Sequence, residues 1–156
     1  MRHWLTAAVL VLAVLGPERP AGAYDTSTPL LGLTALDILV EVPKRGVEQC
    51  GVDRPSIETA LRVLLGQSPI PIGPGADDYI YLSWTIAPDC VAASYELDVN
   101  AVVAVRATGT IVYGARIWSG GGLIAGSKDS LAADLTRRVE ETARLLVNDW
   151  STAHPK

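Results

Sequence analysis

Tyr79-Ile80-Tyr81-Leu82-Ser83-Trp84-Thr85-Ile86 alternates without a break. Ile80, Leu82, Trp84 and Ile86 fall on one side of an extended chain, and Tyr79, Tyr81, Ser83 and Thr85 on the other, as in a strand covered on one face only. A sheet made of such strands keeps its helices in a single layer, as a two-layer α+β sandwich does.

After this octet Pro88 and Asp89 supply a turn, and residues 91–106 keep the same period. Val91, Ala93, Tyr95, Leu97, Val99, Ala101, Val103 and Val105 are apolar; Ser94, Glu96, Asp98 and Asn100 oppose them. Thr108-Gly109 suits a hairpin turn, with residues 111–118 returning. In that return strand Ile111, Tyr113, Ala115 and Ile117 are expected to point inward, and Val112, Arg116 and Trp118 outward.

Upstream, Leu36, Ile38, Val40 and Val42 mark an earlier strand that Pro43 and Gly46 end. Asp53-Arg54-Pro55-Ser56 opens a helix, because aspartate accepts free amide hydrogens and proline fits the first turn. Ile57, Ala60, Leu61 and Leu64 then recur at helical spacing, Glu58 and Arg62 sit one turn apart, and Gly66 is the expected stop. Residues 68–78, rich in proline and glycine, form a loop. Downstream, residues 119–126 read as a glycine-rich connector to a last helix that starts at Ser127 or Ser130 and runs to Thr152. Its buried stripe is Leu131, Leu135, Val139, Ala143, Leu146 and Trp150; Asp134 with Arg138, and Glu140 with Arg144, are its turn-spaced ion pairs. The expected order is β-α-β-β-β-α, a four-stranded mixed sheet with two helices on one face.

The amino terminus reads as a secretory signal peptide. Arg2 and His3 precede an apolar run from Trp4 to Leu15, a helix-breaking segment 16–20, and Ala21-Gly22-Ala23, a small-x-small site that predicts cleavage between Ala23 and Tyr24. The run is shorter than the roughly 17–25 residues a bilayer span needs. This divides the chain into a signal (1–23), a loosely held arm (24–34), one α+β domain (35–153) and a frayed tail (154–156). With no cysteine at the end of the signal, a lipid anchor has no attachment residue. A net charge of −4 without a basic cluster argues against nucleic acid and anionic lipid as partners. The excess of arginine over lysine and the absence of phenylalanine suit a GC-rich bacterial genome, hence a periplasmic or secreted protein.

Cys50 and Cys90 are the two cysteines of the chain. In an oxidising compartment two lone thiols pair. Each follows a strand, so if those strands run parallel across the helix, both cysteines emerge at the same end of the sheet.

The mature part holds one histidine, His154, in the expected tail, where it cannot serve as a positioned base. No metal-ligand spacing and no cofactor motif is present. Residues 121–128 approach a phosphate-binding loop, but Ser127 and Lys128 stand in the reverse of the required order. Glu96 and Asp98 are the candidates for carboxylate chemistry, which would make the chain a small secreted hydrolase. Trp84, Tyr95, Tyr113 and Trp150 are assigned to the core. Tyr79, Tyr81 and Trp118, with Leu39 and Val112, fall on the opposite face. There, together with Glu96, Asp98 and Arg116, they form a candidate partner-binding surface for an envelope protein or a second copy.

An exported β-α-β-β-β-α domain ending in a long helix resembles small periplasmic accessory domains, such as the amino-terminal domain of TolB and the lipoprotein activators of penicillin-binding proteins. The resemblance covers residues 33–153, rests on element order, and implies a non-catalytic role in the cell envelope.

Overall fold

The computed structural model describes residues 29–41, 48–105 and 107–155. The expected signal with Ala21, Ala23 and Tyr24, the expected arm as far as residue 28, and Val42 and Arg106 lie outside them. The elements are β1 (Asp37–Val40), a short 3-10 turn (Glu48–Cys50), α1 (Arg54–Gly66), β2 (Tyr79–Ile86), β3 (Ala92–Val105), β4 (Thr110–Ala125) and α2 (Leu131–Ala153). The sheet order is β1-β2-β3-β4, with β1 parallel to β2 and the other pairs antiparallel. This is the expected mixed sheet in the expected element order.

Alternation becomes burial on the helix side of the sheet. Ile38, Ile80, Leu82, Leu97, Val99 and Ala101 are almost wholly buried, and they meet Ile57, Leu61 and Leu65 of α1 and the expected stripe of α2. Burying each large aliphatic side chain contributes about 1.5–3 kcal/mol. Tyr95 also points inward, and its phenol is satisfied by Thr142 Oγ1 at 2.8 Å and the Arg138 carbonyl at 3.2 Å. Asp53 caps α1 by accepting from the Ser56 amide at 3.1 Å.

The parallel β1-β2 pair delivers Cys50 and Cys90 to the same end of the sheet. They form a disulfide there, with Cα atoms 5.3 Å apart. Cys90 holds a left-handed φ of 62°, rare for a residue with a side chain. Its amide donates to the Ala87 carbonyl at 2.9 Å, which fixes the tight β2-β3 turn.

Several expectations need correction. The segment 119–126 is strand as far as Ala125, not a connector. A Cβ on Gly121 would lie 2.3 Å from the Tyr95 carbonyl oxygen, and one on Gly120 would lie 2.6 Å from Thr142 Cγ2. These glycines admit close packing instead of flexibility. Residues 121–125 are therefore extended, leaving no phosphate-cradling loop. Tyr113, assigned to the core, is 76% exposed. Leu30 and Leu33 are buried, so the core begins inside the expected arm. His154 is no frayed tail: its ring stacks on Trp150 with centroids 4.3 Å apart. Asp134 pairs with Arg137 at 3.0 Å, not with Arg138, while the Glu140–Arg144 pair stands at 3.9 Å.

Candidate partner-binding face

With both helices on one side, the other face of the sheet is formed by the alternate residues. Leu39 of β1 lies beside Tyr81 of β2, Tyr81 is paired with Asp98 of β3, and Asp98 with Ser119 of β4. Tyr79 is paired with Asn100, and Asn100 with Arg116. Tyr79, Tyr81, Glu96, Asp98 and Arg116 are thus brought together, as the alternation requires.

Trp118 is not among them. Val99 pairs with Trp118 but Asn100 pairs with Arg116, so Ile117 is an extra residue with no partner: a β-bulge. The bulge turns Trp118 to the helix side while Arg116 stays on the open side. There the Trp118 indole N–H donates to Asp149 Oδ2 of α2 at 2.8 Å, and the ring packs against the core. A second register shift nearer the hairpin puts Val112 opposite Val103, in the helix-side phase. Val112 likewise leaves the open face.

The charges on that face are organised around Arg116. Its Nη1 lies 3.3 Å from Asp98 Oδ2 and 3.7 Å from Glu96 Oε2. Asp98 is buried although it sits on the open side, and its Oδ1 accepts no hydrogen bond from the described residues. Glu96 and Asp98 thus converge on a guanidinium, which forms an ion-pair cluster instead of an acid and a base across a cleft. Beside it lies a shallow depression of about 500 Å³ lined by Leu39, Tyr79, Tyr81, Asp98, Asn100 and Arg116. Burial raises the pKa of the Tyr81 phenol, and the hydrogen bond and negative charge of Glu41 push in the same direction. Tyr81 is therefore a neutral hydrogen-bonding aromatic at ordinary pH. Leu39, 44% exposed, adds apolar area next to it.

Among the described residues, no group of three or more His, Cys, Asp or Glu side chains is placed to hold a metal ion. No helix among them is long and apolar enough to cross a membrane.

No known protein family and no curated protein matches the chain. Among solved structures it is similar to a dodecamer of a PelC point variant from Paraburkholderia phytofirmans, at 15% sequence identity and a TM-score of 0.41, over 73% of this chain and 91% of that one. A likeness of that size carries no argument about function.

Proposed function

We propose that this chain is an exported, non-catalytic accessory protein of the bacterial envelope that engages a protein partner through its open sheet face. The supporting observation is that no described residue covers this face of the sheet. Tyr79, Tyr81 and Leu39 offer flat apolar area, and the Arg116–Asp98–Glu96 cluster beside them offers charge and hydrogen bonds, the mixture that protein interfaces use. The Cys50–Cys90 bond fits export to an oxidising compartment, as does the signal-like amino terminus. Element order ties the reading to the periplasmic accessory domains by analogy alone.

The test is affinity capture from a periplasmic extract with the wild-type chain and with Tyr79→Ala/Tyr81→Ala. A partner held by the first and lost by the second, with both proteins equally folded, is the expected result. Equal capture by both would remove the face from the account.

A further inference from the structure

The two edges of the sheet are finished differently. At β1 the Leu36 amide donates to the Pro71 carbonyl at 2.9 Å, and the Leu36 carbonyl accepts from Gly73 at 3.0 Å. The Ile38 amide donates to Asp37 Oδ1 at 2.7 Å, and the Ile38 carbonyl accepts from Arg62 Nη2 at 3.0 Å. The ladder to β2 uses Asp37 and Glu41, so these bonds occupy backbone groups that point outward. A short strand whose outward groups are already bonded is a blunted edge.

β4 is finished otherwise. The Gly126 amide donates to the Val91 carbonyl at 2.9 Å. By the period of two, the backbone groups of Ile124, Gly122, Gly120 and Trp118 face β3, while those of Ser119, Gly121, Leu123 and Ala125 point away from it. No described residue takes up those outward groups. The two bulges and Arg116 disturb the first half of β4. The stretch Trp118–Ala125 holds an unbroken register with no proline and no charge. Exposed apolar side chains flank it in both layers: Leu123, 88% exposed, and Leu145 of α2, 60% exposed. Leu145 lies one turn before Asp149, the carboxylate that reaches Trp118, so the helix face bearing it overhangs β4.

We propose that a second copy of this chain pairs antiparallel along Trp118–Ala125, with Gly121 facing Gly121 across a two-fold axis. The stretch is complementary to itself in that register. Trp118 meets Ile124, Ser119 meets Leu123, and the central glycines put no side chain between the two backbones. No charge faces its like, although each copy is acidic overall. The two sheets become one, the α2 helices of the two copies approach along their Leu145 faces, and both open faces stay free on the same side. The pairing is independent of what those open faces bind.

Sedimentation velocity on the full chain across a concentration series tests this, with wild type, Leu123→Lys, Leu145→Lys and Tyr81→Ala compared. The wild type should sediment as a dimer. Either lysine variant should weaken dimerisation by about tenfold or more, while Tyr81→Ala leaves it unchanged. Both lysines replace exposed side chains, and circular dichroism should find the fold intact. A wild type that stays monomeric, a dimer indifferent to both lysines, or one broken by Tyr81→Ala alone would each overturn the proposal.

Discussion

The indole of Trp118 donates to the carboxylate of Asp149 at 2.8 Å, joining the middle of β4 to the last turns of α2. Trp118 is therefore part of the scaffold, and replacing it should cost stability before it costs recognition. Trp118→Ala should lower the unfolding free energy by about 2–4 kcal/mol, and Trp118→Phe, which loses mainly the hydrogen bond, by about 1 kcal/mol. Urea unfolding measures both. A near-neutral Trp118→Ala would return the ring to the surface.

The glycines of β4 should be unequal. Gly121→Ala forces a methyl to within 2.3 Å of the Tyr95 carbonyl and should cost several kcal/mol, on the order of other overpacked sites. Gly122→Ala meets its nearest neighbour at 3.8 Å and should be tolerated. Thermal melts of the two variants distinguish a packed strand from a loop, in which both changes would be mild.

These two cases show where the sequence is legible and where it is not. β2 is readable to its last residue because Tyr79–Ile86 keeps one period with one side buried, and the six-residue stripe of α2 lies where helical spacing puts it. Ile117 defeats the same logic. One unpaired residue inverts every side chain beyond it, and nothing in the local pattern announces the inversion. The run Gly120-Gly121-Gly122 misleads because glycine marks both flexible turns and close approach, and only the positions of Tyr95 and Thr142 tell which applies. On the candidate face, Tyr79, Tyr81, Glu96, Asp98 and Arg116 are reachable from alternation. Sharing of Arg116 between two carboxylates is not, since it depends on cross-strand register.

Reduction of Cys50–Cys90 should destabilise the fold. The bond joins residues 40 apart in sequence, and closing a loop of that size is worth up to about 4 kcal/mol on the chain-entropy account. Urea midpoints with and without reductant, together with Cys50→Ser/Cys90→Ser, should shift downward together. Native protein whose two thiols alkylate freely would contradict the pairing.

Acid should weaken the β1 edge through Asp37. Hydrogen bonds from the Gly75 and Ile38 amides, at 2.9 and 2.7 Å, hold its carboxyl below the ordinary aspartate value. A depressed folded-state pKa contributes stability that is complete above the unfolded aspartate value near 3.8 and is lost as pH falls through the folded one. Asp37→Asn should remove that part of the acid limb in a plot of unfolding free energy against pH. An unchanged acid limb would mean that the carboxylate is not held.

The open sheet face, proposed as the surface that meets a protein partner, is the centre of the functional reading. Hydrogen exchange read by mass spectrometry, on the free chain and on its complex with the captured envelope partner, tests that most directly. Binding should slow exchange in residues 79–83 and 96–100 and leave α1 and the outer side of α2 unaffected. Protection confined to the helices, with β2 and β3 exchanging as in the free chain, would contradict it.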